Sequence, residues 1–82
     1  MTHALKTIPA FFADIASGKK QFEVRKNDRN FKAGDKILLQ EYDPEKGYTG
    51  QEWEGSITYL MDNPDYCKKG FVIFSIKERE AD

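Results

Sequence analysis

The chain contains one cysteine and one histidine, Cys67 and His3. A single cysteine cannot form a disulfide within the chain, so a reducing cytoplasm is the expected compartment. One histidine and one cysteine are too few for a standard zinc site, and no metal or cofactor is expected. A nucleophilic triad is not expected either, because His3 stands near the N-terminal end and Cys67 is interpreted as an incidental loop thiol.

Long apolar runs and phosphate-binding loops are also missing from the sequence. No apolar stretch approaches the ~20 residues of a membrane-spanning helix, and the first residues lack the basic and apolar regions of a secretory signal. No glycine-rich loop of the GxxxxGKS type is present. With 82 residues, 39% of them hydrophobic and 33% charged, the chain is predicted to form one soluble domain over residues 1–82.

The net charge of −1 conceals an uneven distribution of charge along the chain. Residues 19–36 contain seven basic and three acidic side chains, a net charge of +4, whereas the rest contains six basic and eleven acidic side chains, a net charge of −5. A positive segment on an acidic body can dock an anion. A solvated charged face has the same composition, so this observation alone leaves both interpretations open.

A short helix is predicted within residues 6–20. Thr7 is its expected N-cap, and Gly18 stands where a left-handed residue usually ends a helix. Apolar residues recur at helical spacing, which predicts a buried face made of Ile8, Phe11, Phe12 and Ile15.

Four strands are predicted after the helix, and a short strand before it is allowed at residues 3–6. The first follows Gly18, and the other three lie at 35–43, where the strand is expected to be central, at 51–61 and at 71–78. Hairpin-like connections join them. This order predicts an α+β, mainly β fold: a small mixed β-barrel of about five strands with a short N-terminal helix.

Alternation in two of these strands predicts which side chains share a face. In the strand after Gly18, Phe22 and Val24 are expected on the buried face, and Glu23 and Arg25 on the accessible polar face. In the strand at 51–61, one face is predicted to carry the alternating residues Trp53, Gly55, Ile57, Tyr59 and Met61.

Glu23 and Arg25 are the most informative charged pair. Because they are two residues apart on a strand, their side chains leave the same face and can pair. Such a pair would hold the guanidinium in a fixed orientation, which suits a phosphate or a base edge. An ordinary surface ion pair would have the same spacing and is worth at most about 1 kcal/mol.

The surrounding segment, GKKQFEVR at residues 18–25, matches a G-x-K-x-x-E-x-R signature at Gly18, Lys20, Glu23 and Arg25. In this respect the chain resembles the ASCH (activating signal cointegrator homology) family. The segment FKAGD at 31–35 resembles that family's loop into the next strand. The resemblance covers the whole chain in the order of its elements, and it is closest to a group of compact bacterial and phage ASCH-like proteins that share a sequence run whose start agrees with His3, Leu5 and Lys6.

The resemblance implies a PUA-like β-barrel with a cleft beside the signature strand that binds RNA or a nucleotide-like ligand. We expect the cleft to bind this ligand without chemistry. Single lysine and arginine contacts to phosphates would be mostly sequence-blind. Phe31 would stack a base if exposed and otherwise packs under its loop. Tyr48 and Trp53 are further aromatic candidates, with packing as the default. The ligand-binding residues so implied are Lys6, Lys20, Glu23, Arg25, Lys26, Arg29, Phe31 and Lys32.

Two alternatives remain open. Some bacterial ASCH-like proteins are amidohydrolases that deacylate a modified cytidine with a Lys, a Thr and a Glu. This chain keeps Lys20 but has Glu23 at the position of the Thr, and a carboxylate does not replace that hydroxyl nucleophile without different chemistry. In that alternative Lys20 would be the general base for an N4-acylated cytidine, with Glu52 or Glu54 as partner.

The other alternative is a protein-interaction module with a decayed pocket. Its expected mark is a cleft closed by side chains, in which Glu23 and Arg25 pair only with each other.

Overall fold

The computed structural model describes residues 1–80, which form one curled sheet of five strands and a single short helix. The last two residues of the predicted domain, 81–82, lie outside the described part. The expected mainly β class, the five strands and the short helix near the N-terminus are confirmed, and the sheet is a half-barrel. The elements are β1 (Thr2–Thr7), α1 (Pro9–Ala16), β2 (Phe22–Lys26), β3 (Lys36–Asp43), β4 (Gly47–Met61) and β5 (Phe71–Glu78).

The strand order across the sheet is β1-β3-β4-β5-β2. β1 runs parallel to β3, and the other three neighbouring pairs are antiparallel, so the sheet is mixed. β3 lies between β1 and β4, which confirms its predicted central position. The two edge strands approach each other where the sheet curls, and Arg25 Nη2 on β2 donates to Thr7 Oγ1 on β1 at 3.2 Å. We call the gap between β1 and β2 the seam.

The helix α1 is shorter than predicted and buries only half of its expected apolar face. Phe12 and Ile15 are in the core, whereas Ile8 and Phe11 are largely exposed. A helix of only two turns can bury only a narrow stripe of its surface. The predicted N-cap was also wrong, because Thr7 ends β1 and Ile8 takes the cap position without a side-chain bond.

The end of the helix follows the prediction. Gly18 has a φ of 85°, the left-handed conformation that glycine adopts without strain. In residues 1–80 no helix is both long and apolar enough to cross a membrane.

The strand β2 presents its faces the opposite way to the prediction. Phe22 and Val24 are half-exposed, Arg25 is partly buried, and Glu23 is only 3% exposed. Pairing with β5 explains the reversal, because Glu23 lies opposite Phe74 and Arg25 opposite Val72, two fully buried residues. Residues directly opposite each other share a face of the sheet, so this register turns the charged residues inward.

A bulge in β4 breaks the predicted alternation of that strand. Trp53, Gly55 and Ile57 share one face as predicted, and this face is turned to the core. Between Ile57 and Tyr59 the register against β5 shifts by one residue, so Tyr59 is exposed and Leu60 packs against the core instead. A bulge inserts one extra residue into a strand, which moves all later side chains to the other face.

Gly55 makes room for the largest side chain of the core. A Cβ at this position would overlap the Lys77 carbonyl oxygen of β5 and the indole ring of Trp53. Trp53 is therefore buried across the glycine, and its role as an exposed aromatic candidate is excluded. Its indole Nε1 is buried and has no hydrogen-bond acceptor among residues 1–80.

His3, Phe31 and Asp35 join the start of β1 to the loop before β3. The buried His3 donates from Nε2 to Asp35 Oδ2 at 2.8 Å, and its ring lies 4.6 Å from that of Phe31. The Lys32 N–H donates to the same carboxylate oxygen at 3.1 Å. The hydrogen bond from His3 holds the pKa of Asp35 below its ordinary value of 3.8, with help from Lys32, while partial burial acts in the opposite direction.

We expect Asp35→Asn to lower the free energy of unfolding at pH 7 by about 1–3 kcal/mol, because the buried His3 loses its charged acceptor. The lowered pKa means that ionised Asp35 stabilises the fold fully above about 3.8, its ordinary value, and that this stabilisation is lost as the pH falls through the folded-state pKa. Urea unfolding at a series of pH values should show the deficit narrowing in acid. Asp14→Asn, on the exposed side of α1, is the control. If the loss of stability in Asp35→Asn does not depend on pH, the stabilising role assigned to ionised Asp35 is contradicted.

Candidate functional site

Glu23 is the centre of a partly buried ion cluster, which we define as Lys20, Glu23 and Arg25. Lys20 Nζ donates to Glu23 Oε1 at 2.9 Å, and Arg25 Nε donates to Glu23 Oε2 at 2.7 Å. Lys20 Nζ also donates to the Phe22 carbonyl at 2.6 Å. A buried carboxylate is tolerated only when its charge is compensated and its oxygens are hydrogen-bonded, and both oxygens of Glu23 meet this condition.

Arg25 is held at two of its three nitrogens. Its Nε binds Glu23 and its Nη2 binds the buried Thr7, which fixes the plane of the guanidinium. Nη1 has no hydrogen-bond partner among residues 1–80. The outer edge of the guanidinium, made of Nη1 and the second Nη2 proton, is therefore available to a ligand, and its geometry matches a pair of acceptor oxygens.

Two clefts open on either side of Arg25 along the seam. The first, the apolar cleft, has a volume of about 470 Å³, and the ion cluster shares its lining with Ile8, Phe11, Phe22 and Val24. The second, the basic cleft, has a volume of about 460 Å³, and its polar lining includes Lys6, Arg25, Lys26, Arg29, Asp28 and Tyr48. Lys6 and Arg25 line both clefts, so the two spaces adjoin.

The structure brings together most of the residues predicted for the site. Lys20, Glu23 and Arg25 are in direct contact, Lys6 joins them from β1, and Lys26 and Arg29 line the basic cleft. Arg29 is anchored by a bond from Nη1 to the Ala4 carbonyl at 3.0 Å. Glu23, however, was expected on the accessible face and is buried, so it acts on Arg25 from beneath the surface.

Two predicted residues do not present their side chains to a ligand as expected. Phe31 is 4% exposed, and its ring packs between those of His3 and Phe74, at 4.6 and 5.1 Å. Stacking on a base was expected only if the Phe31 ring was exposed. The structure shows the other predicted role, in which the ring packs in the core under its loop. Lys32 lies in the turn before β3 and lines neither cleft.

Other residues of the site were missed or left as secondary candidates. Thr7 orients Arg25, and Phe11 and Phe22 line the apolar cleft. Tyr48 lines the basic cleft, and the Lys6 ammonium lies 4.5 Å from the ring of Tyr42 and 5.7 Å from that of Tyr48. Tyr42 and Tyr48 are cross-strand partners flanking the β3–β4 turn. Their near-symmetric placement around that turn is the sequence signal that could have found them.

The carboxylates named for the enzymatic alternative lie elsewhere. Glu52 accepts from Gln40 Nε2 at 3.3 Å, and Glu54 pairs with Arg79 at 2.8 Å. Neither residue lines the apolar cleft, where Lys20 is found. The mark expected of a decayed pocket is not seen in residues 1–80, because both clefts are open and the ion cluster has partners beyond the Glu23–Arg25 pair.

Fold and site together define a class of small protein: a curled five-stranded sheet whose open seam holds an arginine oriented by a buried glutamate. The chain belongs to the family described as "Domain of unknown function (DUF3850)", whose model matches residues 2–76. The match spans β1 to β4 and all but the last two residues of β5, so it contains the whole seam.

One relative comes from a bacteriophage. The chain is 36% identical over 74 residues to the "Uncharacterized 12.9 kDa protein in GpA 3′region" of Escherichia phage P2. The alignment covers 90% of this chain and 67% of the phage protein. The resemblance to the ASCH family stays a prediction, because neither comparison tests it.

Proposed function

We propose that the seam binds RNA or a nucleotide-like ligand through its phosphates, without catalysing a reaction. The observation that carries this proposal is the state of Arg25. It stands between two open clefts with its orientation fixed by Glu23 and Thr7 and its outer edge unoccupied among the described residues. A guanidinium held in this way suits a phosphate, which accepts two parallel N–H bonds.

The charge around Arg25 supports an anionic ligand. The lining of the basic cleft includes four cationic side chains and one acidic side chain, although the whole chain carries a net charge of −1. Concave surfaces lined by one sign of charge raise the local concentration of the opposite ion. The positive charge is therefore concentrated at the place where the structure has room for a ligand.

Glu23 explains how Arg25 can be both oriented and available. A carboxylate at the surface would compete with a phosphate for the guanidinium. Glu23 instead binds the inner Nε from a buried position, and Lys20 compensates part of its charge. The outer edge of Arg25 is left for the ligand.

The structure gives the amidohydrolase alternative less support. The carboxylate in contact with Lys20 is Glu23, which is buried and hydrogen-bonded on both oxygens. A general base must reach the proton that it removes, and Lys20 is already bound to Glu23 and to the Phe22 carbonyl. Binding without chemistry is therefore the function that we favour.

Titration of a labelled single-stranded RNA of about eight nucleotides tests the proposal, since such sites usually span about 4–16 nucleotides. We expect the logarithm of the binding constant to fall linearly with the logarithm of salt concentration, by about 0.7 per phosphate contacted. Arg25→Ala, Lys26→Ala and Arg29→Ala should each weaken binding and make the slope shallower by about that amount. Fluorescence anisotropy at several salt concentrations measures both quantities.

Lys36→Ala is the matched control, because Lys36 belongs to the same basic stretch of sequence but lines neither cleft. It should leave affinity and slope nearly unchanged. Arg25→Lys keeps the charge and removes the planar fork, so it separates charge from orientation. The proposal is overturned if the wild type does not bind at low salt, or if folded Arg25→Ala binds like the wild type.

A further inference from the structure

The two clefts of the seam differ in chemistry and each contains an exposed aromatic surface. In the apolar cleft Phe11 is 51% and Phe22 47% exposed, and the Lys20 ammonium lies 5.4 and 4.7 Å from their ring centroids. In the basic cleft Tyr48 is 58% exposed and lies beside Lys6. Between these surfaces stand Lys6 and Arg25, the two cations that both clefts share.

An aromatic surface, then cations, then a second aromatic surface is the arrangement that single-stranded nucleic acid requires. Bases stack on exposed rings, and the phosphate that links them lies over positive charge. A mononucleotide has one base and would use only one of the two aromatic surfaces. A ligand with at least two bases would use the half-exposed rings of both clefts at once.

We propose that the seam holds a single strand of two or more nucleotides. One base lies in the apolar cleft against Phe22 and Phe11, the linking phosphate contacts Arg25 and Lys6, and the next base stacks on Tyr48 in the basic cleft. This inference rests on the proposed function and adds to it the class of occupant, a strand and not a free nucleotide.

A second copy of the chain fits this surface less well. In a two-fold dimer the same patch faces itself, so Lys6 and Arg25 of one copy would lie near those of the other. Like charges that meet across an interface disfavour association. The basic lining instead complements the negative charge of a nucleic-acid backbone.

The experiment compares four probes on the full chain: uridine monophosphate, a uridine dinucleotide, an oligouridylate of about eight nucleotides, and a sugar-phosphate oligomer of the same length that lacks the bases. We expect the dinucleotide to bind more tightly than the monophosphate. Loss of all bases should weaken binding at least about tenfold while keeping the salt dependence, because the phosphate contacts remain.

Phe22→Ala and Tyr48→Ala should each weaken binding of the oligouridylate by about tenfold and leave the slope against salt unchanged. Both side chains are exposed, so these variants keep the fold. Tyr66→Ala is the control, because Tyr66 is exposed and lines neither cleft. Its affinity should equal that of the wild type.

The outcomes separate the two proposals. If salt-dependent binding to the oligomers persists but is indifferent to loss of the bases, or to both Phe22→Ala and Tyr48→Ala, the strand inference is overturned and the proposed function stands. The strand inference is also overturned, and the proposed function stands, if the monophosphate binds as tightly as the oligouridylate. Self-association that Phe22→Ala abolishes, with RNA binding unaffected, would assign the apolar cleft to a second copy and also overturn the inference. If no probe binds the wild type, the proposed function itself fails.

Discussion

Glu23→Ala should lower the free energy of unfolding by about 3 kcal/mol, near the lower end of the range for breaking a buried ion pair. The substitution removes the acceptor of two charge-assisted hydrogen bonds and leaves Lys20 and Arg25 side by side without their shared counter-charge. Both cations are partly exposed and regain some hydration, which keeps the effect below the upper end of the range. Urea unfolding followed by the fluorescence of Trp53 measures the change.

Two further variants define the cause of that loss. Glu45→Ala, in the exposed turn before β4, also removes one carboxylate and should change stability by less than about 0.5 kcal/mol. Glu23→Gln keeps the shape of the side chain and part of its hydrogen bonding, so its loss of unfolding free energy should fall between those of Glu45→Ala and Glu23→Ala. A Glu23→Ala protein as stable as the Glu45→Ala protein would show that the cluster contributes nothing to the fold.

Gly55→Ala should lower the free energy of unfolding about as much as Glu23→Ala does, by about 3 kcal/mol, which is at the top of the usual range for overpacking. The added methyl would overlap the Lys77 carbonyl of the neighbouring strand and the Trp53 ring. A backbone atom in a ladder cannot move without disturbing the pairing of β4 with β5. The measurement is urea unfolding, together with the near-ultraviolet circular dichroism of Trp53, which should change as the ring is displaced.

A double variant separates the two overlaps at Gly55. Trp53→Leu alone is expected to destabilise the core by creating a cavity. Added to Gly55→Ala, it removes the clash with the ring but not the clash with the carbonyl, so the combined cost should be smaller than the sum of the single costs. Ser56→Ala, one position along β4, is the control for strand propensity. A Gly55→Ala protein with wild-type stability would contradict the packing described here.

The number and order of the secondary-structure elements could be predicted from the sequence because they follow from local chemistry. Apolar period and turn residues indicated the helix and the later strands, and Gly18 marked the end of the helix. The apolar run at Ile37–Leu39 indicated the central position of β3, and the strand order agrees, although Leu38 on the opposite face from Ile37 and Leu39 is only partly buried. These signals act within a few residues and do not need the tertiary fold.

The orientation of β2 could not be predicted, because alternation gives the period of a strand and not which face is buried. The usual assumption buries Phe22 and Val24, and the fold does the reverse. Glu23 is compensated inside the protein by Lys20 and Arg25, and that compensation depends on side-chain geometry that the alternation does not contain. The error also changed the expected site, since a glutamate predicted to face water is in fact its internal support.

The remaining parts of the site depend on contacts between distant segments. The signature residues of 18–25 lie close in sequence, and their convergence was predicted. Thr7 and Lys6 come from β1, whose parallel pairing with β3 places them at the seam, and Tyr48 comes from the far side of the β3–β4 turn. The bulge after Ile57 likewise depends on the register with β5. No local pattern specifies these relations.

The seam has a consequence for the solution behaviour of the protein. In residues 1–80 both unpaired edges of the sheet, β1 and β2, border this one gap. Exposed strand edges are templates on which foreign strands can add, and they are a common origin of aggregation. A molecule that fills the gap would cover both templates at once, so the seam proposed for ligand binding is also the surface at which strand addition would begin.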